Sequence, residues 1–253
     1  MKLVDTHCHL DNSQYDSDRE EILNLIEQNM EFVVNIGYDL ESSKNSIELA
    51  KKYKNIYATI GIHPTDISEV FTQNDYEVLK ALADNEKVVA IGEIGLDYHW
   101  MTQEKEVQKN WFKKQLEIAK ELNKPVVVHT REAIADTVEI LKEFPEVKGI
   151  VHCYPGSYET AKEIMENYYF GVGGVLTFKN SKKTVEFVKC IPLEKIVIET
   201  DAPYLTPEPY RGKRNHPEYV KFVVEKIAEI KEISFEEVLE TTTNNAKKIY
   251  GIK

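Results

Sequence analysis

Eight short runs of β-branched and apolar residues recur along the chain, and each is followed by a stretch of helical periodicity. The runs are Lys2–Asp5, Phe32–Ile36, Tyr57–Gly61, Val88–Gly92, Val126–His129, Ile150–His152, Tyr169–Gly173 and Ile196–Glu199. Helix patterns fall at Glu20–Gln28, Ser42–Tyr53, Gln103–Leu122, Ala133–Phe144, Tyr158–Asn167 and Val185–Lys189, and two more, Glu218–Lys231 and Ser234–Tyr250, close the sequence. In the first of them Ile22, Leu23, Leu25 and Ile26 mark one apolar face. Ser234 with Glu237 three residues on is a capping signature that starts the last helix. This alternation is that of βα units around a parallel sheet. Eight units predict an α/β fold of the (β/α)8 TIM-barrel type, and 253 residues match its usual length of about 250. No Gly/Ser or Pro-rich linker divides the sequence, so residues 1–253 are expected to form a single domain. A doubly wound open sheet accommodates the same runs. Polar residues able to do chemistry, however, stand at the C-terminal ends of six of them, and a barrel gathers those ends on one face.

The chain carries 43 acidic and 32 basic residues, a formal net charge of −11, which argues against a generic grip on nucleic acid or anionic membrane. An enzyme that meets a polyanion at one local cleft remains compatible with that balance. Apolar and aromatic residues recur throughout, which excludes a disordered chain. No apolar run approaches the roughly 20 residues of a membrane span. Met1–Asp5 reaches a carboxylate after two apolar residues, unlike a signal peptide. Three cysteines (Cys8, Cys153, Cys190) make no disulfide framework and suit a reducing compartment, so a cytoplasmic location is expected, with no membrane contact and no obligate protein partner evident.

The chemistry-bearing residues cluster at the run ends. His7 and His9, two apart on an extended segment, project to one side and can close on one metal ion. Asp5 is expected to support them by accepting a hydrogen bond from a ligand imidazole. Glu93 ends the fourth run, where an unpaired carboxylate would be costly to bury, and its two oxygens can reach two different metals. His129 and His152 leave the fifth and sixth runs at matching positions, and Asp201 follows the eighth. Four imidazoles and two carboxylates suffice for two divalent ions bridged by Glu93, and nitrogen-rich ligation favours Zn, Mn, Fe or Ni. His63 leaves the third run as a substrate-facing or supporting residue, while His99 and His216 read as exposed loop residues. Arg211, Lys213 and Arg214 put three cations in four residues after the eighth run, where with Arg131 they could capture an anion. Tyr98 and Tyr154 are candidates for stacking on a base, or for rim packing.

Together, Val4-Asp5-Thr6-His7-Cys8-His9-Leu10-Asp11, Gly61-Ile62-His63-Pro64, Gly92-Glu93-Ile94-Gly95-Leu96-Asp97-Tyr98, Pro125–Arg131, Glu199–Leu205 and Arg211–Asn215 resemble the TatD-family metal-dependent hydrolases, part of the amidohydrolase-like barrel superfamily. The resemblance runs over essentially the whole chain. It implies a TIM barrel with two divalent metals (Zn, Mn, Mg, Fe or Ni), one on His7, His9, Glu93 and Asp201, the other on Glu93, His129 and His152. It also implies deoxyribonuclease action, in some members 3′→5′ exonuclease action on single-stranded DNA. Cys153-Tyr154-Pro155-Gly156 departs from the usual Phe or Tyr followed by Ser and Gly, which bears on substrate preference.

The expectation is therefore phosphodiester hydrolysis by a metal-activated water, with Asp201 and Glu93 catalytic and His63, Arg131, Arg211, Arg214 and Tyr98 binding substrate. The alternative is hydrolysis of a carboxylic ester, lactone or amide on the same barrel.

Overall fold

The computed structural model describes residues 2–253. Eight strands follow one another around a parallel sheet in sequence order: β1 (Leu3–Cys8), β2 (Met30–Asn35), β3 (Ile56–Ile60), β4 (Val88–Asp97), β5 (Val126–Arg131), β6 (Gly149–Val151), β7 (Tyr168–Val172) and β8 (Ile196–Ile198). The ends meet at a seam just beyond β8. There the Asp201 N–H donates to His7 O at 2.9 Å and the His9 N–H to Ala202 O at 2.7 Å. Nine helices accompany the strands among the described residues: α1 (Arg19–Asn29), α2 (Leu40–Lys52), α3 (Gln73–Ala83), α4 (Lys105–Leu122), α5 (Ile134–Lys142), α6 (Tyr158–Lys162), α7 (Lys182–Cys190), α8 (Val220–Lys231) and α9 (Phe235–Tyr250).

Strand alternation divides the apolar residues into two layers. Val4, Phe32, Val34, Ile36, Val127, Ile150, Tyr169 and Val197 fill the barrel. Their neighbours Val33, Val126, Val128, Val151, Phe170 and Ile198 face the helices. The C-terminal end of α9 plugs the opening opposite the strands' C-terminal ends. Ala246, Ile249 and Tyr250 join the inner layer, and the Tyr250 hydroxyl donates to Thr6 O at 3.0 Å.

All eight expected strands form. β1 and β4 run three and five residues further than their apolar runs indicate, carrying His7 and Glu93 inside strands instead of just past them. The extension of β4 needs Gly95, at φ 143°, because a methyl there would overlap the His129 carbonyl of the paired strand. Helix α3 lies outside the expected helices; a Thr72–Asp75 capping box starts it, and only Leu79 and Ala83 are buried, too few for a clear apolar stripe. Helix α6 stops at Lys162, earlier than its apolar pattern implies. The chain then tightens into three-residue turns, in which Ile164 N–H bonds Ala161 O and Asn167 N–H bonds Ile164 O. At α9 the Ser234 side chain accepts the Glu237 N–H at 3.1 Å, as expected.

Candidate metal centre

Pairing shifts register within β1 between Asp5 and Cys8 and within β4 between Ile91 and Ile94. Each shift changes which face the following residues occupy. Val4 therefore packs inside the barrel, yet Cys8 joins the outer layer and His7 and His9 take the inner side. Likewise Ile94 and Leu96 pack outward, leaving Glu93, Gly95 and Asp97 facing the axis. Asp5, fully buried, holds this turn of chain in place. Its Oδ1 accepts the N–H groups of His7 at 3.1 Å and Thr200 at 3.0 Å, and its Oδ2 the Thr200 hydroxyl at 2.5 Å. It thus ties β1 to the segment after β8 and supports the site through backbone and hydroxyl groups instead of an imidazole N–H. Burial pushes its carboxyl up to about 8.

Glu93 is the hub. Its Oε1 lies 3.0 Å from His129 Nδ1, 3.8 Å from His152 Nε2 and 3.9 Å from His63 Nε2, while Oε2 lies 3.5 Å from His7 Nε2. Asp201 Oδ1 stands 3.6 Å from His7 Nε2 and 3.3 Å from His9 Nε2. Asp201 is itself held at φ 57°, a left-handed conformation a non-glycine residue adopts only when its surroundings enforce it. His7, His9 and Asp201 form one group with metal-ligand spacing, and His7, Glu93 and His152 a second. His63, Asp97 and His129 form a third, although Asp97 there is already bonded to two backbone N–H groups. Both ring nitrogens of His7, Nδ1 of His9 and Nδ1 of His152 are buried without a hydrogen-bond partner. Such orphaned donors are rare unless a ligand is due to meet them. Unpartnered imidazole nitrogens converging with carboxylate oxygens fit divalent cations of the Zn or Mn kind.

Charge follows the same pattern. Burial opposes ionisation of Glu93, yet His7 and His129 outweigh it and hold the carboxyl well below its ordinary range. Burial likewise opposes Asp201, but the His9 contact and the nearby His152 and His7 keep it low. Burial, reinforced by His152 stacked at 3.6 Å, lowers His7. Burial and His129 push His63 down to about 3. His9 and His129 are raised despite burial, the first by Asp201 and the second by Asp97 and Glu93. His152 is pushed up to about 10 against the burial cost, by Glu199.

Two buried carboxylates were not among the expected site residues. Asp97 Oδ2 sits 2.9 Å from His129 Nε2, and Glu199 Oε1 sits 3.0 Å from His152 Nδ1. The two-residue spacing Glu93-x-Gly95-x-Asp97 carried the signal for the first. Helix α4 clamps this region with two glutamines. Gln108 bonds both the N–H and C=O of Asp97 at 2.8 and 2.9 Å, and Gln115 does the same to Ile62 at 2.8 and 3.0 Å. His63 is turned inward as its Nδ1 is engaged by the Thr65 hydroxyl at 2.7 Å.

Around the rim the expected substrate residues fare differently. Arg131 is exposed and lies over the Trp100 ring at 5.6 Å. Arg211 lies over Phe178 at 3.9 Å. Arg214 is committed elsewhere: it pairs with Asp18 at 2.5 Å, donates to Gln14 O at 2.6 Å and covers the Tyr15 ring. The Tyr98 hydroxyl donates to Asp136 at 2.6 Å, and Lys105 sits over its ring. Tyr154 is buried against Phe170 and Phe187, so it packs the wall and offers no stacking face. The open aromatic faces are Trp100 (58% exposed) and Tyr204 (46%), the latter 6.0 Å from the His9 ring. His99 is exposed and bonds Glu132, but His216 is half-buried between Tyr15 and Tyr219, not a free loop residue.

Residues 4–251 match the family described as TatD related DNase. YabD of Bacillus subtilis, described as a metal-dependent hydrolase, is 48% identical over 254 residues, covering 99% of each chain. YcfH of Escherichia coli, described in the same words, is 35% identical, with 100% of this chain and 97% of that one covered. The crystal structure of YjjV, a TatD homologue from Escherichia coli, superposes with a TM-score of 0.91 at 29% identity, covering 99% of this chain and 98% of the other. No helix among the described residues is long and apolar enough to cross a membrane. A TIM barrel with candidate metal-ligand clusters at the strands' C-terminal mouth, and relatives matched end to end, make this chain a metal-dependent hydrolase that belongs to the TatD family.

Proposed function

We propose that the protein hydrolyses phosphodiester bonds in DNA, acting from the 3′ end of single strands, at a centre where His7, His9, Glu93 and Asp201 hold one divalent ion and Glu93, His129 and His152 a second. The observation that carries this reading is Glu93, whose Oε2 faces His7 while its Oε1 faces His129 and His152. When bound, such ions supply Lewis acidity toward a phosphoryl oxygen and lower the pKa of water. Asp201, kept ionised beside His9 and still reachable from the mouth, accepts the proton of the attacking water. His63, neutral and turned inward, contacts a phosphoryl oxygen. Arg131 and Arg211 approach the neighbouring phosphates, while Arg214 braces the loop through Asp18, and Tyr98 holds the rim through Asp136. The family's description as a DNase supports a DNA substrate, and the exposed Trp100 and Tyr204 suit unpaired bases. The 3′ polarity rests on the family resemblance.

Hydrolysis of a carboxylic ester, lactone or amide is a second reading, favoured by the net charge of −11 and by the neutralisation of Arg214. The test is metal-replete turnover of 5′-labelled single-stranded DNA beside a chromogenic carboxylic ester. Shortened products that retain the 5′ label and vanish with chelator and with Asp201→Ala support the nuclease. Ester turnover with intact DNA transfers the function to acyl hydrolysis.

A further inference from the structure

The imidazoles of His129 and His152 approach Glu93 Oε1 through different atoms, Nδ1 for His129 and Nε2 for His152. A neutral imidazole has one bare nitrogen, so a site using both residues needs them in opposite tautomers. The nitrogen remote from Glu93 has a buried carboxylate beside it in both cases: Asp97, hydrogen-bonded to His129 Nε2 at 2.9 Å, and Glu199, at an ion-pair distance of 3.0 Å from His152 Nδ1, which makes no hydrogen bond in this structure.

Each carboxylate is itself held. Asp97 Oδ1 accepts the N–H groups of His99 at 2.9 Å and Trp100 at 2.7 Å, which leaves Oδ2 for the imidazole. Glu199 Oε1 also accepts the Cys153 N–H at 2.6 Å, and Cys153 adopts φ 43° next to His152. A methyl at Gly171 would overlap the Glu199 carboxylate, so the neighbouring strand is cut away to seat it. Glu199 is 1% exposed and its Oε2 has no hydrogen-bond partner. Burying a carboxylate this way is costly, and His152 is the only basic side chain within ion-pair distance of it among the described residues.

We propose that Asp97 and Glu199 are positioning residues that fix opposite tautomers of the two histidines. Asp97 takes the Nε2 proton of His129 and leaves Nδ1 bare toward Glu93. Glu199, by its charge 3.0 Å from Nδ1, keeps the proton of His152 on that nitrogen and leaves Nε2 bare toward the same oxygen. The proposal rests on the reading of His129 and His152 as metal ligands. Outer partners of this kind orient the ring and raise its basicity as a ligand, and losing one typically weakens metal affinity about 10- to 100-fold.

The test uses the full chain and Zn²⁺ alone. Nitrogen-15 imidazole spectra of the Zn²⁺-loaded protein assign the protonated nitrogen of each ring, and calorimetry gives affinity for the wild type, Asp97→Asn, Glu199→Gln, His129→Ala and His152→Ala. The expected result is a proton on Nε2 of His129 and Nδ1 of His152, with each carboxylate variant binding Zn²⁺ about 10- to 100-fold more weakly. Glu199→Asp, which keeps the charge, should recover part of that loss. The reverse tautomers in the wild type overturn the proposal even if a variant fails to fold. Wild-type affinity in both carboxylate variants, with loss in His129→Ala and His152→Ala, also overturns it. Unchanged affinity in the histidine variants instead overturns the assignment of those histidines as ligands.

Discussion

Glu93 Oε1 lies 3.0 Å from Nδ1 of His129, while its Oε2 reaches to 3.5 Å from Nε2 of His7, so one side chain stands between imidazoles supplied by different strands. Glu93→Ala should therefore abolish turnover and lower metal content at both groups together. The loss should exceed the roughly 10- to 100-fold typical of an outer-shell partner. Metal analysis after gel filtration, run beside activity, checks this; wild-type turnover would refute the shared-carboxylate reading.

Protons and metal compete for the same nitrogens. His9, His129 and His152 are raised by adjacent carboxylates, so each must give up a proton before it can ligate. Metal affinity should rise with pH between 6 and 8, on the order of tenfold per unit for the His152 proton, with His9 and His129 steepening the rise. Calorimetry in buffers of different ionisation enthalpy should register proton release, and a pH-independent affinity would contradict it.

In chelator, the His152–Glu199 contact carries the opposite dependence on pH. Its histidine stands at about 10 in the folded protein against an ordinary 6.5, so its contribution is complete below 6.5 and disappears as pH climbs through 10. The Tm difference between the wild type and Glu199→Gln should narrow over that window in thermal melts. A difference that widens with pH would refute this ordering.

Arg214 and Arg211 should separate experimentally. Arg214 is matched by Asp18, so Arg214→Ala should cost about 1 kcal/mol of stability with little change in KM for DNA. Arg211 and Arg131 have no acidic partner among the described residues, and their replacement should raise KM and flatten its salt dependence. Urea melts and KM values at two salt concentrations distinguish the two classes.

Gln108 bonds both backbone groups of Asp97 from within the α4 interface. Gln108→Leu strands a buried donor and a buried acceptor and should cost about 2–5 kcal/mol. The urea midpoint measures it, and a change under 1 kcal/mol would show that the strand end relaxes to find other partners.

The barrel could be read from the sequence because its signal is local: a buried strand must be apolar, and its covering helix must be striped. The His7–His9 pair, Glu93, His129, His152 and Asp201 were legible for the same reason, each being a polar residue where an apolar run ends. What escaped was set by long-range contact. Arg214 reads as a free cation until Asp18, 196 positions away, is seen against it. Asp97 and Glu199 take their place in the site only when His129 and His152 arrive beside them from other strands. Tyr154 and Trp100 are both aromatic residues beyond strand ends, and only packing decides that the first is wall and the second open surface.

The β1–β8 seam has a consequence for when this site is completed during the protein's own synthesis. His7 and His9 leave the ribosome early, but the backbone that fixes them, Asp201 and Ala202, follows nearly two hundred residues later. A growing chain with six or seven strands exposed holds only scattered imidazoles. The cluster of His7, His9 and Asp201 is therefore completed only once the chain beyond β8 is in place, and it forms from the two ends of the sequence at once.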